Sequence, residues 1–238
     1  MATLRSGEHG GEYYGSLFNQ SQSLTNDEMK VNARYLYEVL HYIHGWTMQA
    51  VSGLLGNMQH ESSINPGRWQ SDKVGATSSG YGLVQWTPAT KYINWCADNG
   101  YNDPSEMDSN IARIMYEVEH GGQFYKTPSY NITFKEFIKS TNDPYYLACA
   151  FAWNYERSWV VLYGTTAEQN ALKEKRGGSA SYWYNYLNDY YAGLIDPDNP
   201  DLPEYPDIPE YPDIPARPLN LPKRGTFNFI LFGKARKK

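Results

Sequence analysis

The sequence has little of several features that define whole classes of protein. Only two of its 238 residues are cysteine, which excludes a small domain cross-linked by disulfides. No apolar run approaches the ~18 residues that are needed to cross a bilayer. The formal net charge is -5, so a nucleic-acid-binding body is not expected. Residues 1–11 lack the apolar core of a secretory signal. We therefore expect a protein that is made in a cytoplasm and does not leave by the general secretory route.

The charges and prolines at the carboxyl end set it apart from the rest. Seven acidic and no basic residues lie in 196–216, whereas seven basic and no acidic residues lie in 217–238. Prolines recur at every third position from Pro197 to Pro218. Because polyproline II has three residues per turn, this repeat predicts a semi-rigid spacer, with a PxxP ligand for a partner groove as the alternative. The sequence thus divides into an extension (1–23), a folded domain (24–194), the spacer (195–222) and a basic apolar tail (223–238).

The tail carries an apolar run, Phe227–Phe232, between basic flanks. Its alternation is typical of an edge strand that is added to another protein's sheet. Its charge would also suit weak docking to an anionic surface. We interpret the tail as a docking peptide.

Between these ends the periodicity predicts a mainly helical body. Thr25 and Glu28 have the spacing of a capping box, and apolar residues follow at helical intervals as far as Gly45. A second helix is predicted after Trp46. Further helices are predicted over 91–99, 109–120, 133–140, 144–155 and 183–191, with loop or a short hairpin over 67–87. The predicted fold class is α+β, mainly α, with a short β-hairpin region.

Glu61 is the first candidate for chemistry. The apolar stripe of the second helix, which ends with Leu55 and Met58, continues to Glu61 at the next helical step. A carboxyl group on the packed side of a helix, near the negative end of its dipole, is disfavoured as an anion. That property suits a general acid. A buried Glu that only hydrogen-bonds a loop is the alternative, and the spacing alone favours neither interpretation.

The segment GYGLVQWTP, residues 80–88, is the second candidate. Gly80 and Gly82 permit a close approach of the backbone to a ligand. Gln85 offers hydrogen-bond donors and an acceptor, and Trp86 offers a flat apolar face. A pyranose ring needs both kinds of contact. An ordinary turn is the alternative interpretation of these residues.

Several blocks of this sequence resemble the phage tail lysozyme family, and in particular the N-terminal lysozyme domains of tail-knob morphogenesis proteins of small Bacillus podophages. The similar blocks occur in the same order across roughly residues 24–192: LTNDEMKVNARYL, GNMQHESSINPG, GYGLVQWTPATKYINW, EMDSN, TFKEFIKST and NYER. More distantly, Glu61-Ser62 with GLVQWTP is similar to the ES and GLMQ motifs of goose-type lysozymes and lytic transglycosylases.

The resemblance implies that 24–194 is a lysozyme-like catalytic domain that cleaves peptidoglycan glycan strands, with Glu61 as general acid and Glu156 as second carboxylate. A solvated Glu156 beside Arg157 is the alternative, and it would favour a one-carboxylate mechanism of the lytic transglycosylase type. The distance between two catalytic carboxyl groups, ~5–5.5 Å in retaining and ~6.5–9.5 Å in inverting glycosidases, is not given by the sequence. Substrate contacts are implied for six further residues: Tyr81, Gly82, Gln85, Trp86, Asn154 and Tyr155.

The resemblance also implies a place in the virion, at the tail tip or knob, where the protein would degrade the Gram-positive wall locally during genome delivery. The spacer and tail would join it to other tail proteins. A structural tail-tip protein that binds glycan without cutting it is the alternative from another class, and an endolysin is a third. A buried acid favours the enzyme, because a binding protein does not need one.

Two departures from the family pattern stand out. Ser158 and the Trp159–Val161 segment follow the Glu-Arg pair, where relatives usually have proline, so a differently shaped loop is expected over 156–166. The zinc peptidase domain of longer relatives has no counterpart, since no HExxH motif occurs. His41 and His44, three residues apart, are interpreted as surface or packing residues. We predict no metal and no other cofactor.

Overall fold

We describe residues 2–193 of the protein from a computed structural model. The predicted spacer at 195–222 and the predicted docking tail at 223–238 lie outside these residues. In chain order the elements are β1 (Thr3–Ser6), β2 (Glu12–Gly15), α1 (Asn26–Tyr37), α2 (Met48–Ser62), α3 (Thr90–Asp98), α4 (Met107–His120), α5 (Phe134–Lys139), α6 (Pro144–Phe151), α7 (Trp159–Tyr163) and α8 (Thr166–Tyr191). A mainly helical fold with one small antiparallel sheet is thereby confirmed.

Helix starts agree with the local sequence signals. Thr25 and Glu28 form the predicted capping box of α1, and Asp143 caps α6 with Pro144 in its first turn. Two helices continue into wider π-helical turns, α1 into Glu38–Ile43 and α6 into Ala152–Glu156. The second of these turns delivers a predicted site residue, Glu156, at its last position.

The regular β-hairpin, formed by β1 and β2, lies within 1–23, the segment predicted to be an extension. β1 pairs with β2 in antiparallel register, and Asn32 of α1 exchanges hydrogen bonds with the backbone of Tyr14. Over 67–87 the chain forms a short 3₁₀ helix, Gln70–Asp72, and two isolated bridges, Trp69 with Tyr81 and Tyr81 with Trp86. The hairpin is further held by Arg5, which forms an ion pair with Asp103 at 2.8 Å.

The core is organised around α2, which packs against α6 and α8. Small residues permit this close packing. A Cβ at Gly53 would lie 2.8 Å from the Cβ of Leu147 in α6, and one at Gly56 would lie 2.6 Å from the carbonyl oxygen of Arg176 in α8. The end of α2 is thereby fixed against α8, the helix that supplies Arg176. Within residues 2–193, no helix has both the length and the apolar character that a membrane span requires.

Candidate active site

Glu61 lies in the last turn of α2, with 22% of its side chain exposed. Helix α2 ends there because Ser63 adopts a left-handed conformation, with φ of 55°. The Nη2 atom of Arg176 donates a hydrogen bond to Oε1 of Glu61, and Nη1 donates to the carbonyl oxygen of Asn57 at 2.7 Å. Glu61 is therefore an accessible carboxyl group held by a largely buried guanidinium group. Arg176, 115 residues further along the chain, was not anticipated from the sequence.

Glu156, at the end of the π-helical turn, is the second carboxyl group of the site. Its Oε1 atom is buried and has no hydrogen-bond partner within the described part of the chain. Burial raises the pKa of Glu156 well above its ordinary value, and the negative charges of Glu61 and Glu117 raise it further, against the opposing charge of Arg176. Electrostatic interaction thus links Glu156 to Glu61, and burial favours the protonated form of Glu156.

A third carboxyl group, Glu117 of α4, joins the two halves of the site. It accepts hydrogen bonds from Trp86 Nε1 at 3.1 Å, Arg113 Nε at 3.0 Å and the Tyr155 hydroxyl group at 2.5 Å. Burial raises the pKa of Glu117, although these hydrogen bonds and the charge of Arg113 oppose the shift. The sequence did contain a signal, because Glu117 follows Ile114 at a helical interval just as Glu61 follows Met58.

The predicted loop residues support the site through packing and hydrogen bonds. They are Tyr81, Gly82, Gln85 and Trp86. The rings of Tyr81 and Trp86 are 0% and 1% exposed, and Trp86 stacks on Tyr92 at 4.3 Å between ring centroids. The structure therefore places both rings in the core. Gln85 uses its Nε2 atom to bind the carbonyl oxygen of Gly82 at 2.8 Å, which closes the turn.

Gly82 meets a conformational and a steric requirement at once. Its φ is +85°, and a Cβ at this position would lie 2.7 Å from Oδ1 of Asn110. That same oxygen accepts a hydrogen bond from the backbone N–H of Leu83 at 3.0 Å. Glycine thus allows the loop to pack against α4. Direct contact with substrate remains a prediction for the four loop residues.

Asn154 and Tyr155 are also buried, and they position Glu156. Asn154 donates from Nδ2 to the carbonyl oxygen of Tyr130 at 2.9 Å and accepts at Oδ1 from the Thr127 hydroxyl group at 2.7 Å. Tyr155 packs its ring on Phe151 and binds Glu117 through its hydroxyl group. Of the eight predicted site residues, only Glu61 therefore combines a reactive group with an accessible side chain and a charged partner.

The raised pKa of Glu156 leads to a prediction about stability as a function of pH. The folded pKa lies above the unfolded value of about 4.3, so the folded state keeps a proton that the unfolded chain releases above that pH. Wild-type stability should fall by up to about 1.4 kcal/mol per pH unit through this window. Glu156→Gln cannot ionise and avoids the loss. Urea unfolding at pH 4, 6 and 8 should show the variant's advantage growing with pH.

The matched control is Glu119→Gln, which makes the same chemical change at an exposed ion pair with Lys135. The pKa of Glu119 is lowered by the hydrogen bond and charge of Lys135, so this variant should gain no stability as the pH rises. A difference between wild type and Glu156→Gln that is constant over pH would show that Glu156 is ionised in the folded protein.

A helical body whose central helix ends in an accessible carboxyl group, which interacts with a second, half-buried carboxyl group, defines a lysozyme-like domain. The sequence profile of the family described as phage tail lysozyme matches residues 31–187. The chain belongs to the phage tail lysozyme family.

A curated relative extends this comparison. The chain is 44% identical over 172 residues to Morphogenesis protein 1 of Bacillus phage B103. The match covers 71% of this chain but 43% of the relative, so the chain spans less than half the length of that protein. The family profile, from residue 31 to residue 187, includes all three carboxyl groups of the site.

Proposed function

We propose that this protein is a muramidase-type glycoside hydrolase that cleaves the glycan strands of peptidoglycan. The observation that carries the proposal is the carboxyl pair, in which Glu61 is accessible beside Arg176 and the pKa of the half-buried Glu156 is raised. Glycosidases use two carboxyl groups of different protonation state in this way, one to donate a proton and one to act as an anion.

Glu61 is the proton donor in this proposal, because it is the carboxyl group that a glycosidic oxygen can reach. Arg176 then stabilises the carboxylate that remains when the proton has passed to the leaving oxygen. Glu156 is the second carboxyl group in this proposal. Glu117 supports it by accepting hydrogen bonds from Trp86 and from Tyr155, the residue before Glu156.

One observation favours the reverse assignment of roles. Burial raises the pKa of Glu156 and so favours its protonated form, whereas Glu61 is bound by a guanidinium group. Glu156 would then donate the proton, and Glu61 would stabilise the oxocarbenium-like transition state or act as nucleophile. This second mechanism requires Glu156 to become accessible when substrate binds.

For the biological role, we propose a virion protein at the tail tip or knob that thins the Gram-positive wall locally during genome delivery. Membership of the phage tail lysozyme family supports this role, as does the similarity to a protein named for morphogenesis. The proline-repeat spacer and the basic tail would attach the domain to other tail proteins. This part of the proposal rests on the sequence pattern of 195–238.

The function is tested by digesting purified Gram-positive peptidoglycan with the full chain and identifying soluble products by mass spectrometry. Reducing N-acetylmuramic acid ends are the expected product. Anhydro-muramic ends would instead identify a lytic transglycosylase. If the folded protein sediments with the wall and releases nothing, it is a glycan-binding structural protein and the hydrolase proposal is wrong.

A further inference from the structure

Exposed aromatic side chains follow directly after the second carboxyl group. Trp159 and Tyr163, the first and last residues of α7, are 64% and 70% exposed. They lie four residues apart and so share one face of the helix, with their ring centroids 6.3 Å apart. Large aromatic side chains are costly to leave in water, and a pair of them on one face indicates a binding surface.

The helix that carries these rings is fixed to the body. Val161, on the side of α7 away from the two rings, is buried. Gln169 of α8 donates from Nε2 toward the carbonyl oxygens of Val160 at 3.4 Å and of Val161 at 3.2 Å. The two rings are therefore presented outward by an anchored backbone, and binding would not have to order this segment first.

Arg157 lies between Glu156 and α7 in the chain, and it contacts a third exposed ring, that of Tyr125. Arg157 has a left-handed backbone, with φ of 50°, and its Cζ atom lies 5.3 Å from the ring centroid of Tyr125. Tyr125 is itself 52% exposed, and its backbone N–H binds the carbonyl oxygen of Asn154 at 2.8 Å. Exposed aromatic and cationic groups thus follow Glu156 closely in the chain, at Arg157, Trp159 and Tyr163.

From this arrangement we propose that Trp159 and Tyr163 form an outer glycan subsite, on which N-acetylhexosamine rings of the strand stack beyond the point of cleavage. This inference rests on the proposed function, because that function brings a glycan strand across Glu61 and Glu156. A sugar ring has an apolar face that matches an aromatic ring. Arg157 is suitably charged for the carboxylates that muramic acid and its stem peptide carry.

Binding is measured by calorimetry with the full chain carrying Glu61→Gln, so that the probe is not consumed. The probe is a hexamer of β-1,4-linked N-acetylglucosamine. Trp159→Ala and Tyr163→Ala should each weaken hexamer binding roughly tenfold, the effect expected for one stacking contact of about 1.4 kcal/mol. Trp159→Phe keeps an aromatic face and should stay close to the parent. Leu4→Ala, at an exposed apolar side chain of β1, is the matched control and should not change binding.

The same Trp159 and Tyr163 substitutions in otherwise wild-type protein should raise the KM for peptidoglycan and leave kcat nearly unchanged, because the rings contact sugars away from the reacting atoms. Cleavage with unchanged KM in both variants would overturn the subsite and leave the muramidase proposal standing. Hexamer binding that depends on Trp159, without any cleavage by wild type, would support the subsite and refute the hydrolase.

A synthetic peptide of residues 223–238 tests the other occupant that the chain itself offers. If Trp159→Ala weakens binding of this peptide and not of the hexamer, the surface is a docking site for the tail and the glycan subsite is wrong. Failure of the parent to bind the hexamer at all would overturn the subsite as well.

Discussion

Glu61→Gln is expected to lower the rate of peptidoglycan hydrolysis by roughly 10²–10⁴-fold, the contribution that a positioned general acid makes. Glutamine keeps the size and one acceptor oxygen of Glu61 but has no proton of suitable acidity to donate. The substitution should leave the fold intact, because the side chain lies at the accessible end of α2. Release of soluble muropeptides per unit time is the measurement, with circular dichroism to confirm folding.

Glu119→Gln is again the matched control, since it removes one exposed carboxylate from α4 and should keep full activity. The amide at Glu61 also removes the charge partner of Arg176, so thermal unfolding of both variants is recorded in parallel. Wild-type activity in a folded Glu61→Gln variant would exclude Glu61 as the proton donor.

The choice between Glu61 and Glu156 as donor is made with an aryl glycoside of an N-acetylglucosamine oligomer. An aryl leaving group of low pKa departs without protonation, so the variant that lacks the general acid keeps its activity on this substrate. If Glu61 is the donor, Glu61→Gln should cleave the aryl glycoside far better than it cleaves peptidoglycan, and Glu156→Gln should be impaired on both. The opposite pattern would assign proton donation to Glu156.

Glu117→Ala is expected to lower the free energy of unfolding by about 3–5 kcal/mol, the range found when one partner of a buried ion pair is removed. The truncation would leave the Trp86 indole N–H, the Tyr155 hydroxyl group and the Arg113 guanidinium group without their shared acceptor. Each buried donor that loses its partner costs about 1–3 kcal/mol. Urea unfolding at pH 7 measures the loss.

Glu119→Ala, two residues away on the exposed side of α4, controls for the loss of a helical Glu and should lower the free energy of unfolding far less than Glu117→Ala does. The free energy of unfolding of Glu117→Gln should lie between those of Glu117→Ala and Glu119→Ala. Glutamine keeps one acceptor oxygen but turns an N–H₂ group toward hydrogen-bond donors. If Glu117→Ala proved as stable as Glu119→Ala, the three hydrogen bonds would not be joining the loop to the π-helical turn.

Local signals were enough to predict α1, α2 and α6, because their caps and apolar stripes are contained in a few adjacent residues. The same signals were not enough for α8. Only its end, from Trp183, was predicted, whereas the helix begins at Thr166. Gly177 lowers helix propensity in the missing part, yet the structure uses it for packing: a Cβ there would lie 2.2 Å from the ring of Tyr145. A tertiary contact of this kind has no local signature.

The candidate site, like the fold, could be predicted from the sequence only in part. Glu61 could be found because it extends an apolar stripe, and Glu156 because it belongs to a family motif. Arg176 could not be found, because its relation to Glu61 depends on how α8 crosses α2 at Gly56. The burial of Trp86 in the free protein could not be found either, because it depends on contacts with residues further along the chain. A large ring beside Tyr92 gains more from burial in the core, where its N–H also finds an acceptor in Glu117.

The amino-terminal hairpin has a consequence for synthesis on the ribosome. Arg5 binds Ser105, and the backbone N–H of Glu8 binds Asp108, in each case 100 residues further along the chain. At roughly 5–20 residues per second, the ribosome needs on the order of 5–20 s to make those partners after the hairpin has been made. Arg5 and Glu8 can therefore reach these native contacts only after a further 100 residues have been translated.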